Sequence, residues 1–172
     1  MRYAALAALA LVLFSSAAFA ETAPKAEADI QNGQGEKIGT ATLTEGADGV
    51  KIALTVSKLS PGQHGLHIHA AGKCEGPDFK SAGGHLNPEG KKHGLQSPEG
   101  PHAGDLPNLT VGPDGTAKTE VTTQRVTFGE GKNSLFQPDG TALVIHVAPD
   151  DEKSDPIGNA GPRAACGVIK KK

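Results

Sequence analysis

Gly65-Leu-His67-Ile-His69-Ala70 alternates apolar and polar side chains at the period of a β-strand, with Leu66 and Ile68 on one face and His67 and His69 on the other. Two imidazoles side by side on one strand face are a candidate metal-binding pair. The strand belongs to a stretch, His64 to Asp105, that holds six of the seven histidines and one of the two cysteines. From Ala71 to Gly104 no apolar period holds, and a passage of that length without regular structure is uncommon in a compact domain unless it is functional or tied down. His85, His93, His102 and Asp105 are the side chains through which metal ions would tie it down.

Outward from this stretch the pattern is strands and turns. Ile38, Thr40, Thr42 and Thr44 alternate with Gly39, Ala41 and Leu43; a Glu45-Gly-Ala-Asp-Gly49 turn follows; then Val50, Ile52, Leu54 and Val56 alternate with Lys51, Ala53, Thr55 and Ser57. Alternation on both sides of a short turn predicts a hairpin. Leu59-Ser-Pro-Gly62 turns the chain into the histidine strand. Beyond Asp105, Asn108 to Val111, the turn Gly112-Pro-Asp-Gly115 and the alternation Ala117, Thr119, Val121 predict a second hairpin. Thr141 to Val147 is apolar on both faces, so it reads as a strand buried on both sides, with His146 near its end. Asp150 to Pro162 is a polar loop, Ala164 to Ile169 a short last strand, and Lys170 to Lys172 a solvated tail. Many short strands, Gly/Asp turns and no helical period predict an all-β antiparallel sandwich or barrel.

A chain of 172 residues with a net charge of −2 and a pI near 6.4 suits one domain and gives no support to nucleic-acid binding. Residues 1–20 read as a secretory signal: Arg2, an apolar run from Tyr3 to Phe14, and Ala18-Phe19-Ala20 before Glu21. About 12 apolar residues are too few to span a bilayer that needs roughly 20, so the expectation is an exported chain without a stable membrane anchor, periplasmic or extracellular. Residues 21–34 mix alanine with charges and read as a flexible lead-in to a domain over 35–172. In an oxidising compartment Cys74 and Cys166 most simply form one disulfide, the alternative being two separate buried thiols.

Residue types sort the polar set into two sites. Tetrahedral zinc takes imidazole nitrogen and carboxylate oxygen, which His85, His93, His102 and Asp105 supply in full. Copper is equally suited by imidazole, and His67, His69 and the distant His146 would give an all-nitrogen site with room for a small ligand.

Taken in order, Gly62-Gln-His-Gly-Leu-His-Ile-His69, Gly83-Gly-His-Leu-Asn-Pro88, Lys92-His-Gly94, His102-Ala-Gly-Asp-Leu106, Ile145-His146 and Gly158-Asn-Ala-Gly-Pro-Arg-Ala-Ala-Cys-Gly-Val-Ile169 resemble the copper/zinc superoxide dismutase family. The resemblance runs from about Ile38 to Ile169 and is to the bacterial, exported type. It implies an immunoglobulin-like Greek-key β-sandwich or flattened barrel with long metal-binding and active-site loops. It implies one copper on His67, His69, His85 and His146, one zinc on His85, His93, His102 and Asp105, and His85 as the ring shared between them. Superoxide would be dismuted to dioxygen and hydrogen peroxide, with His85 as proton carrier and Arg163 holding the anion by charge-assisted hydrogen bonds. Asp150 would link His67 and His93, with its neighbour Asp151 the alternative; Cys74 and Cys166 match the family's disulfide; and His64 matches a histidine that binds no metal. The loop between His146 and Arg163 looks shorter than in eukaryotic members and is mostly acidic, leaving Lys153 as a candidate for guiding superoxide. Exported members occur as homodimers and as monomers, and both remain expectations. A metal-storing relative and a metal-free binding sandwich are the competing classes.

Overall fold

The computed structural model describes residues 25–172, and the expected signal at 1–20, with the first residues of the lead-in, lies outside them. Nine strands follow in chain order: β1 Lys25–Asn32, β2 Lys37–Gly46, β3 Gly49–Val56, β4 Gly62–His69, β5 Asp105–Val111, β6 Ala117–Thr123, β7 Ala142–His146, β8 Arg163–Val168 and β9 Lys170–Lys171. A single 3-10 turn at Lys80–Ala82 is the one helical element among the described residues. The strands pair antiparallel in the order β5-β4-β7-β8-β1-β2-β3-β6, with β9 alongside β1. The connections from β3 to β4 and from β6 to β7 join strands that are not neighbours, which gives the sheet its Greek-key character. The sheet curls into an all-β, nearly closed antiparallel barrel, as the alternating strands require.

The β2–β3 hairpin forms as expected, from Gly39↔Val56 to Gly46↔Gly49. On β3, Val50, Ile52, Leu54 and Val56 are buried while Lys51, Ala53 and Thr55 are exposed. One expectation fails nearby. Lys25–Asn32 is no flexible lead-in: Ala26, Ala28 and Ile30 point inward and are buried, and the strand pairs with β2, β8 and β9. Alanine at alternate positions carries too weak an apolar signal to stand out among charges. The lysine tail is solvated as expected, and its backbone adds the short strand β9, with Lys170 and Lys171 paired to Glu27 and Ala26.

The second predicted hairpin is a turn without a ladder. Gly112 N–H donates to the Thr116 carbonyl and closes the turn, but β5 then pairs with β4 and β6 with β3. These two strands are the ends of the sheet, and the turn joins them across the seam of the barrel. Local sequence marks a turn; it does not say which neighbours the emerging strands take.

Inside the barrel lies an aliphatic core that includes Ile30, Leu43, Ile52, Leu54, Leu66, Ile68, Leu106, Leu109, Leu143 and Ile145. A second, smaller cluster of Phe79, Ala82, Ala142, Val144 and Cys166, with Cys74 against it, covers the outer face of β7 and β8. β7 is therefore buried on both faces, as its unbroken apolar run predicts. Its outward positions, continued by His146, share that covered face with His67 and His69 of β4.

Candidate metal centre

Strand register seats the site before any loop does. The β4–β5 pairing sets His67 opposite Asp105, an isolated bridge sets His69 opposite His85, and the β7–β8 pairing sets His146 opposite Arg163, just past an irregularity at Ile145/His146. Residues from five segments thus meet on one outer face of the barrel, beneath the loops 70–104 and 147–162. His67, His69, His85, His93, His102, His146, Asp105 and Asp150 are all buried.

Three of the rings, His67, His69 and His146, have one nitrogen committed outward. His69 Nδ1 donates to the Gly83 carbonyl at 2.9 Å, His146 Nδ1 to the Gly161 carbonyl at 2.9 Å, and His67 Nε2 to Asp150 Oδ2 at 2.6 Å. A carbonyl accepts only, so it fixes the proton on the outward nitrogen and leaves a lone pair on the inward one. Those inward atoms, His67 Nδ1, His69 Nε2, His146 Nε2 and also His85 Nε2, are buried with no partner. Stranding four polar atoms in one place costs about 1–3 kcal/mol each, and a divalent cation is what four converging lone pairs satisfy. Burial, opposed in part by the Gly161 carbonyl at His146 and by Asp105 at His85, holds both rings near a pKa of about 4; burial likewise pulls His69 well below its ordinary value. The lone pairs of these three rings are therefore free at neutral pH.

The second group is oxygen-bearing. Asp105 Oδ1 lies 3.1 Å from His85 Nδ1, 3.1 Å from His93 Nδ1 and 3.4 Å from His102 Nδ1, and His102 Nδ1 is 3.4 Å from His85 Nδ1. A tetrahedron with bonds of roughly 2.0–2.1 Å has edges of about 3.3–3.4 Å, so these separations are compatible with a tetrahedral zinc ion. Proximity alone would also admit His67 with His85, His93 and Asp105, whose candidate atoms all lie within 4.8 Å of one another. His67 Nε2, however, is held by Asp150 and its Nδ1 is one of the four unpartnered nitrogens of the first group, whereas His102 Nδ1 lies beside Asp105 Oδ1. Asp105 Oδ2 accepts from the Gly94 and His102 N–H groups. Although burial works against it, three histidine partners keep the Asp105 carboxyl well below the ordinary range.

His85 lies between the groups, stacked on His67 at 4.0 Å between ring centroids, 5.1 Å from His93 and 5.0 Å from His69. Its Nδ1 faces the carboxylate group and its Nε2 the all-nitrogen group. Asp150 spans the two sets on the other side, accepting from His67 Nε2 and from His93 Nε2 at 3.0 Å. Burial notwithstanding, those bonds hold the Asp150 carboxyl well below its usual range, and Asp105 and Asp150 together push His93 up to about 9 against the effect of burial. Asp151 instead caps its own loop through the Lys153 and Ser154 N–H groups.

Arg163 is partly buried, and its guanidinium donates to the Phe79 and Gly83 carbonyls. The Gly83 carbonyl also accepts from His69, so the cation stands beside the nitrogen group. Cys74–Cys166 is a disulfide spanning 92 residues, and Cys166 lies three positions after Arg163. His64 joins neither group: Nδ1 is 2.7 Å from the His146 carbonyl and Nε2 2.8 Å from the Ser60 carbonyl, which ties the Ser60 turn under β7.

Several supports escaped the sequence. Asn108 exchanges two 2.8 Å hydrogen bonds with the Asp150 backbone, and the Arg125 guanidinium donates to the Asp105 carbonyl. Neither follows a motif. Gly158 had a signal, as a glycine in a polar loop: its φ is +61°, and a Cβ there would come within 1.8 Å of Asp150 Oδ1.

Comparison with known proteins agrees with this geometry. The family model described as copper/zinc superoxide dismutase matches residues 37–169. The chain is 55% identical to "Superoxide dismutase [Cu-Zn] 1" of Aquifex aeolicus, over 95% of this chain and 96% of the relative. It is 42% identical to "Superoxide dismutase [Cu-Zn]" of Caulobacter vibrioides, over 99% of each. Among solved structures, a Cu/Zn superoxide dismutase from Brucella abortus is similar with a TM-score of 0.70 and 29% identity, covering 85% of this chain and 99% of that one.

Proposed function

The chain belongs to the copper/zinc superoxide dismutase family, and on that premise we propose that His67 Nδ1, His69 Nε2, His85 Nε2 and His146 Nε2 hold copper while His85, His93 and His102 through Nδ1, with Asp105 Oδ1, hold zinc. The activity is dismutation of superoxide. The four stranded nitrogens carry this reading, because no protein group among the described residues satisfies them.

When bound, copper supplies one-electron exchange between Cu(II) and Cu(I), so that one superoxide leaves as dioxygen and the next, with two protons, as hydrogen peroxide, while zinc keeps a single valence. The protein's share is binding, orientation and protons. Arg163 receives the anion: the Phe79 and Gly83 carbonyls fix the guanidinium, and its remaining donors meet superoxide by charge-assisted hydrogen bonds. His85 carries one of the two protons at Nε2, and Asp105 and His102, crowding Nδ1, keep that ring from turning. Asp150 fixes His67 and His93 in the tautomers that leave Nδ1 free. The disulfide fastens the Arg163 segment to the loop carrying Phe79 and Gly83, so it positions the anion site as well as stabilising the fold. Export to an oxidising compartment, the periplasm or beyond the cell, fits both that disulfide and the reading of residues 1–20.

The test is superoxide consumption by protein loaded with copper and zinc, beside His146→Ala and Arg163→Ala. Loss of a charge-assisted contact of about 1.5–3 kcal/mol predicts roughly a 10- to 100-fold fall for Arg163→Ala. His146→Ala loses most activity together with its copper. Full activity in His146→Ala removes the copper assignment, and an inactive loaded parent points to metal storage.

A further inference from the structure

Five of the six histidines in the two groups have the ring nitrogen facing away from their own metal atom accounted for. Asp150 takes His67 and His93, the Gly83 and Gly161 carbonyls take His69 and His146, and His85 presents both nitrogens inward. His102 is the sixth. Its Nδ1 faces Asp105 and His85, and its Nε2 faces Asp155 Oδ1 at 3.9 Å.

Asp155 lies in the 147–162 loop and is already fastened to the histidine loop. Oδ1 accepts from the His93 N–H at 2.9 Å, and Oδ2 accepts from Lys92 Nζ at 3.2 Å. The carboxylate is held with one oxygen toward the open nitrogen of His102, within about 1 Å of hydrogen-bond length. We infer that Asp155 is the positioning residue for His102: it accepts from Nε2–H when zinc is bound, fixes the tautomer that leaves Nδ1 free, and so serves this ring as Asp150 serves His67 and His93. Outer partners of this kind are worth typically 10- to 100-fold in metal affinity. The inference rests on the assignment of His102 to the zinc set.

The experiment measures zinc retention against a coloured chelator and the visible spectrum of cobalt(II) placed in the zinc site, for the full protein with Asp155→Asn, Asp151→Asn and His102→Ala. Asp155→Asn keeps an oxygen for the His93 N–H but has no charge for His102. We expect its zinc affinity to fall at least about tenfold and its cobalt bands to move. Asp151→Asn loosens only the loop's own cap and serves as the control for general loosening, with little change expected in either readout. Parent-like affinity and spectrum in Asp155→Asn, with zinc lost in His102→Ala, overturn the role of Asp155 and leave the ligand set standing. Parent-like zinc binding in His102→Ala overturns both. An equal loss in Asp151→Asn overturns the positioning role in favour of loop slackening.

Discussion

The two halves of the barrel solve different problems with the same strand geometry. In the β1–β2–β3–β6 half, side chains alternate between core and solvent, and on β3 that alternation is unbroken. In the β5–β4–β7–β8 half, β4 from His64 to His69 and all of β7 are buried on both faces, because the two long loops lie over them. A face covered by loops must be held to its cover. Here the fastening is polar and covalent: six histidines, Asp105, Asp150 and one disulfide. The first half buries apolar side chains and keeps its charges on the surface, whereas the second holds buried polar groups whose stability depends on partners.

The largest expected difference is therefore in pH dependence once metal is stripped with chelator. His85 and His146 have an ordinary value of 6.5 and are held near 4 in the folded chain, chiefly by burial. Between those values the unfolded chain binds more protons, so the contribution of these two rings falls as pH drops from about 6.5 toward 4 and changes no further below that, where Asp105 and Asp150, held well below the ordinary carboxylate range, lose theirs in turn. At about 1.4 kcal/mol per pH unit of displacement, two such rings outweigh any single change below. His93 has the opposite sign: raised to about 9, its contribution is full below 6.5 and is lost as pH climbs through 9. Denaturant midpoints should therefore peak near pH 6.5 for stripped protein, and a flat profile from 4 to 6.5 breaks the contrast between the halves.

Cutting the disulfide with Cys74→Ser/Cys166→Ser comes next. A bridge spanning 92 residues is worth on the order of 2–4 kcal/mol. The urea midpoint should fall accordingly, and the loaded enzyme should lose affinity for anions because the Arg163 segment is slackened. Unchanged anion binding would make the disulfide a structural brace alone. Asp150→Ala follows, with metal retention down about 10- to 100-fold in a chelator competition. It touches both groups, so weakening of only one would show that His67 and His93 are held independently.

The contrast also explains what the sequence disclosed. Val50 to Val56 declares itself by period, and so does the strand carrying His67 and His69, because alternation is a local property. The histidines in the loops, His85, His93 and His102, have no period and were legible only as a pattern of residue types and spacings. The partners that orient His69 and His146 are backbone carbonyls at Gly83 and Gly161, and a carbonyl has no residue type to recognise. Asp155 was visible only as one acid among several in an acidic loop. β1 was missed for a different reason: Ala26 and Ala28 bury little area, and their strand is defined by its neighbours.

Ile52→Val has the smallest expected effect and tests the separation directly. Ile52 is about 1% exposed on β3, opposite Leu43 of β2 and Val121 of β6. Removing one methylene there should cost roughly 0.5–1.5 kcal/mol, read as a lower denaturant midpoint at constant slope. Copper and zinc content and activity should match the parent, because Ile52 faces the aliphatic core from β3 while the histidine groups lie on the outer face of β4 and β7. The sharper form is the double variant with Asp150→Ala. Two sites without common contacts should add within about 0.5 kcal/mol. A larger coupling would mean that the core transmits strain from β3 to the histidines, and the two halves would have to be treated as one cooperative unit.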